Sequence, residues 1–246
     1  MKHRLSTILT GRAGIIMSYK VLITFDLPDA DAFPSVLIEA LTATEVVALG
    51  HYKLPEQTPP GAARDQLETD TRKTLTDLIR PFHNADIPVQ TRLVFSSARE
   101  KAIDRVARQD DCDAILSTGE VNSLDRLFVA LGDGPEFDRI LSFVADLLAA
   151  VDASVILFHT REETLTNATD QLVKRGVDSN RIYQQVSGGD NVRQRVVELE
   201  DKCDLLVIGE ETPDPLNKTP VLETASTKMP LNTNDPAFIV RSPTQS

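Results

Sequence analysis

From Tyr19 onward the chain alternates short β-branched apolar runs with longer stretches in which apolar residues recur at helical spacing. That alternation predicts a parallel sheet with helices on both faces, because each helix must bury one stripe and each inner strand both of its sides. Strands are expected at Lys20–Phe25, Glu45–Gly50, Val89–Phe95 and Asp113–Ser117, with helices near Pro34–Leu41, Ala62–Phe82 and Ala98–Gln109. In the second of these helices Leu67, Leu75, Leu78 and Ile79 fall on one face, while Arg64, Asp70, Arg72, Lys73 and Asp77 point to water.

The same order then begins again. Strands are expected at Arg126–Leu131, Ala153–Phe158, Arg181–Val186, Asp204–Ile208 and Ala237–Val240, separated by helices near Phe137–Ala150, Glu163–Arg175 and Asn191–Glu200. Local matches support an internal repeat. Cys112-Asp113 and Cys203-Asp204 open corresponding strands, His51 and His159 end corresponding strands, and each first strand runs into an acidic turn, at Asp26-Leu27-Pro28 and at Gly132-Asp133-Gly134. The link between the strands at Ile115 and Leu127 is shorter than the dozen or more residues of a parallel crossover, so it reads as a junction between two sheets or two sheet edges.

These readings divide the chain into a first unit at 18–122, lacking its last helix and strand, and a second at 123–242, with the boundary near Val121–Asp125. The fifth strand at Ala237–Val240 has a single owner, which predicts an exposed edge able to recruit a second chain. Residues 1–17 carry Lys2, Arg4 and Arg12 with no acid. They read as a disordered basic tail or as an extension ahead of a true start at Met17, not as a secretory signal.

Charge narrows the function classes. The 246 residues sum to a net charge of −11, with 23 Asp, 14 Glu, 17 Arg and only 9 Lys. An acidic protein of this kind has no electrostatic footprint for nucleic acid or for anionic lipid. The Asp-rich, Lys-poor balance suits a salt-adapted host with a high-salt cytoplasm, or simply an acidic bacterial or archaeal cytosolic protein. The window Ile140–Phe158 is long enough to span a membrane, but Asp146 and Asp152 interrupt it, and it reads as a helix followed by a strand. Neither cysteine has a partner at disulfide or zinc spacing, so both are expected as buried thiols, and no metal is implied.

Tyr19-Lys-Val-Leu-Ile-Thr-Phe-Asp26, the strand ending in His51 before Lys53-Leu-Pro-Glu-Gln-Thr-Pro-Pro60, the strand ending in His159, and Cys203-Asp-Leu-Leu-Val-Ile-Gly209 together resemble the universal stress protein family in a tandem, two-copy form. The resemblance implies two doubly wound α/β lobes, Rossmann-like and of the adenine nucleotide alpha hydrolase type, with a nucleotide-like crevice beyond the strand ends and pairing between the copies. Open parallel sheets hold ligands at that place on physical grounds as well. By the same resemblance Asp26, and Gly132 or Asp133, stand where an acid meets the ribose. Gly209, Ser226 and Thr227 stand where phosphates would lie.

The phosphate pattern of ATP-binding members is nevertheless broken. Counted from Gly209, the later glycine positions fall on Thr212 and Leu222, with Pro213 and Pro215 between them. Prolines remove amide donors, and Glu210, Glu211 and Asp214 repel a triphosphate. Nucleophile-elbow, Gly-x-x-x-x-Gly-Lys and Gly-x-Gly-x-x-Gly signatures are absent, and Gly188-Gly189 before a helix serves a turn. The expectation is a cytoplasmic, non-catalytic regulatory or binding protein in stress response, with a degenerate crevice for ATP or another adenine nucleotide and with a protein partner or itself as binding partner. The alternative is a nucleotide-free interaction module regulating a membrane transporter or another partner.

Overall fold

The structure is a computed structural model of the chain, described here for residues 19–55, 60–119, 121–187, 192–210 and 236–242. Among the described residues nine strands form one sheet: β1 (Tyr19–Leu27), β2 (Thr44–Lys53), β3 (Val89–Ser96), β4 (Ala114–Ser117), β5 (Arg126–Ala130), β6 (Ser154–His159), β7 (Ile182–Val186), β8 (Leu205–Gly209) and β9 (Ala237–Val240). Their spatial order is β3-β2-β1-β4-β9-β8-β5-β6-β7. Read inward from either edge, the first four strands follow the same third-second-first-fourth sequence of their half. Each half is therefore a doubly wound α/β lobe, as the sequence predicts. The two lobes share a single sheet.

Strand β9 joins them. It runs parallel to β8, with Leu206 opposite Ala237, and antiparallel to β4, with Ala114 opposite Val240. All four of its residues are buried, so the expected free edge at Ala237–Val240 does not exist. The outer strands are β3 and β7. The antiparallel step also explains the short link. Because lobe two runs opposite to lobe one, β4 ends where β5 begins, and eight residues need only pass the ends of β9 and β8. Strands lie about 4.8 Å apart, which makes this about 14 Å, well within reach of the chain.

The helices are α1 (Ser35–Ala40), α2 (Pro60–Leu78), α3 (Arg80–Asn84), α4 (Arg99–Gln109), α5 (Phe137–Ala150), α6 (Glu162–Lys174) and α7 (Val192–Glu200). The single helix expected over Ala62–Phe82 is broken between Leu78 and Arg80, where Pro81 restarts the turn as the short α3. One face of the sheet contributes Val21, Ile23, Leu127, Val129 and Phe238 to a core closed by α1, α2, α3, α5 and α6. The other contributes Leu22, Val47, Phe128 and Ile208 to a core closed by α4 and α7. The first core runs without interruption across both lobes. Phe143 of α5 meets Tyr19 edge-on at 5.1 Å and Phe238 at 5.0 Å.

The Cys-Asp match has a physical reason. Asp113 accepts the amide of Lys20 at 2.7 Å, and Asp204 accepts the amides of Asp125 and Arg126, each at 2.9 Å. Each carboxylate thus satisfies backbone donors where the first strand of its lobe begins. Cys112 and Cys203 are both buried, and neither forms a disulfide. No helix among the described residues is long and apolar enough to cross a membrane.

Candidate functional site

In each lobe the winding reverses between the first and fourth strands, so the crevices lie beyond β1 and β4 in lobe one and beyond β5 and β8 in lobe two. Since the lobes run in opposite directions, the two crevices open at opposite ends of the sheet.

The first crevice is open. A cavity of about 820 Å³ is lined by Asp26, Asp29, Asp31, Phe33, Val121 and Asn122 among others, and among the described residues no Lys, Arg or His lines it. Beside it, under α4, lies a second cavity of about 540 Å³ lined by Arg99, Lys101 and Arg108 among others, and the two share Thr24, Asp26 and Thr118. Asp26 ends β1 with its side chain 60% exposed. It accepts from Arg99 Nε at 2.7 Å, and His51 Nδ1 stands 3.8 Å away. Partial burial pushes its carboxyl upward, but the hydrogen bonds from His51 and Arg99 and the guanidinium charge outweigh this and hold it below the usual carboxylate range. The buried His51 ring is fixed from its other side by Ser96 Oγ, 3.0 Å from Nε2.

In the second crevice a buried glutamate stands against two glycines. Glu136, at the turn into α5, is 1% exposed. A Cβ added at Gly134 or at Gly209 would lie under 3.0 Å from its side chain. The missing side chain of Gly209 makes room for a carboxylate of the same molecule. Next to it, Glu210 accepts the amide of Ser242 at 3.0 Å and stands 3.6 Å from Arg241 Nε. Arg139 of α5 pairs with Asp113 at the start of β4 and ties the lobes together; burial lowers the guanidinium pKa from its ordinary value.

Of the other residues singled out from sequence, buried Gly132 and exposed Asp133 follow β5, as expected. Strand register makes Gly132, not Asp133, the counterpart of Asp26, because Val21 and Leu127 hold equivalent positions against β4 and β8. Asp133 pairs with Arg161, and His159 Nε2 lies 3.4 Å from it. The two histidines are not equivalent. Val46 corresponds to Val155, so register sets His51 against Thr160, and alternation puts His51 on the α4 face and His159 on the opposite one. Ser226, Thr227 and Gly188-Gly189 lie outside the described residues. No three His, Cys, Asp or Glu side chains among the described residues are grouped to hold a metal ion.

Sequence reasoning missed Glu136, Arg99, Asp29 and Asp31. Asp29 and Asp31 were legible as an acid-x-acid pair directly after the acidic turn at Asp26. Glu136 carried no local signal.

No protein-family model matches the sequence, and no curated protein matches it. Among solved structures, the chain is similar to a universal stress protein from Archaeoglobus fulgidus DSM 4304, with a TM-score of 0.63 and 11% identity over 94% of this chain and 99% of that one. A universal stress protein in complex with cAMP aligns with half of this chain, covering 50% of it and 100% of the other, at 20% identity and a TM-score of 0.38. The first likeness establishes a shared fold extending over both lobes.

Proposed function

We propose that this chain is a non-catalytic binding protein of the universal-stress type, built from a tandem of two wound units, whose ligand site is the crevice of lobe one. One observation carries this reading: among the described residues the larger cavity of the crevice, outside the α4 cavity that carries Arg99, Lys101 and Arg108, is lined by three aspartates and by no basic side chain. A phosphate chain placed there would face carboxylates in a partly desolvated site, where like-charge repulsion is strong. The crevice therefore suits a neutral or cationic ligand. An adenine compound would enter by its nucleoside end, with ribose hydroxyls donating to Asp26, and its phosphates would weaken the complex. Occupancy would act by favouring one state of the protein over another toward a protein partner.

Calorimetry on the full chain at high salt tests this with adenosine, AMP and ATP. Affinity is expected to fall as phosphates are added, and ATP binding more tightly than adenosine would overturn the reading. The alternative, a docking module that uses no small ligand, draws on Glu136, whose side chain is buried against Gly134 and Gly209 in the crevice of lobe two. Recovery of a protein partner with no bound small molecule, together with no heat from any of these compounds, would favour it.

A further inference from the structure

We propose that the outer edge of β7 is a docking surface for a second copy of this chain, the two β7 strands pairing antiparallel about Gln184 across a two-fold axis.

Among the described residues the large apolar side chains left exposed are Val173, Tyr183 and Val186, at 44%, 52% and 49%. Two of them lie on β7 and the third near the end of α6, the helix that leads into it, so they gather at one edge of the sheet. The opposite edge is different. There β3 exposes Gln90, Thr91 and Arg92, and Arg92 pairs with Asp110. A charged side chain on an outer strand discourages the addition of another strand, whereas Ile182–Val186 carries neither a charge nor a proline.

The backbone of β7 suits a partner of its own sequence. Ser187 donates its amide to the His159 carbonyl at 3.4 Å, so by alternation Tyr183 and Gln185 also turn their amides to β6, and Ile182, Gln184 and Val186 turn theirs outward. An antiparallel copy centred on Gln184 sets Ile182 against the partner's Val186 and Gln184 against the partner's Gln184. At those positions an antiparallel pair exchanges both of its hydrogen bonds. The contact is the same patch on both chains, so it closes at a dimer.

Side chains favour the same occupant. Ile182, Gln184 and Val186 share the α6 face, where Gln184 Nε2 donates to Thr169 Oγ1 at 2.8 Å. Glu162, Thr166, Thr169 and Val173 recur at helical spacing along the side of α6 that meets this edge. Because α6 runs back against β6 and β7, Val173 lies toward Ile182 and Glu162 toward Val186. Two-fold pairing therefore brings Val173 to the partner's Val186 and covers both. It also sets the acidic start of α6, with Glu162 and Glu163, beside the partner's Lys174 at the other end of that helix. Opposite charges then meet at the contact, although each chain carries −11 overall.

Sedimentation equilibrium of the full chain at high salt tests this. A dimer is expected, with hydrogen exchange at the amides of Ile182, Gln184 and Val186 slowing as protein concentration rises. Gln184→Pro removes an outward amide that the ladder with β6 does not use, and should raise the dimer dissociation constant at least about tenfold. Thr91→Pro, at an outward position of β3, should leave it unchanged. Val173→Asp on the surface of α6 should weaken the dimer as well, and it carries the test where the proline variant does not fold. A monomer at every concentration overturns the proposal and leaves the edge to another protein's strand. So does a dimer that neither Gln184→Pro nor Val173→Asp weakens, or one that Thr91→Pro weakens as much.

Discussion

Glu136 and Gly209 are fitted to one another: the carboxylate of the first occupies the space that a side chain on the second would need. One residue lies at the turn into α5 and the other at the end of β8, the two elements that bound the crevice of lobe two. At the strand-end crevice of that lobe, Gly209 is therefore packed against a carboxylate of the same molecule.

Gly209→Ala is expected to destabilise the protein by about 2 kcal/mol, the usual cost of overpacking a site that cannot relax. Glu136→Ala should remove most of that penalty in the double variant, giving a coupling of at least about 1 kcal/mol between the two positions. Urea unfolding of the four proteins measures it. Additive effects would mean that the side chain of Glu136 is elsewhere in solution.

The paired aspartates at the strand openings should behave alike. Asp204→Ala leaves the amides of Asp125 and Arg126 without their acceptor, and Asp113→Ala does the same to Lys20 and also frees Arg139. Each loss is expected to be about 1–3 kcal/mol, the cost of stranding backbone donors. Asp138→Ala on α5, an exposed side chain, should change stability by less than about 0.5 kcal/mol in the same denaturant series.

The strands of each lobe were legible because every inner strand is buried on both sides and reads as a continuous apolar run, Val21 to Phe25 or Leu205 to Ile208. Joining the lobes into one sheet was not legible, because Ala237–Val240 is equally apolar whether its second neighbour is solvent, a partner chain or β4. The short link after Ser117 did hold the clue, since a parallel partner was out of reach and an antiparallel one was not. At the site, Asp26 could be found from its place at the end of the first strand. The contact between Glu136 and Gly209 could not, since it joins residues far apart in sequence and depends on the path of the turn into α5.

Asp26 gives a pH signature. Its carboxyl titrates below its ordinary value near 3.9 because His51 and Arg99 favour the charged form. A depressed folded value means stability that is present above the unfolded value and lost as pH falls through the folded one. Relative to Asp26→Asn, the wild-type protein should therefore lose stability on acidification below about pH 4. The exposure of Asp26 keeps the effect small, so the decisive measurement is the NMR titration of its carboxyl carbon. A midpoint at or above the ordinary value would show that the contact with Arg99 does not persist in solution.

Cys112 is expected to be chemically silent in the native state. Burial, aided by the nearby negative charge of Asp110, pushes its thiol up to about 11, so almost no thiolate exists at neutral pH. It opens β4 from the core beneath α4, and Cys203 is buried at the corresponding place in lobe two. At pH 8 a disulfide reagent should label neither cysteine in the folded protein and both after denaturation. A native thiol reacting at the rate of the unfolded chain would mean that the start of β4 or β8 opens readily, and hydrogen exchange at Ala114 and Leu205 would identify which strand is responsible.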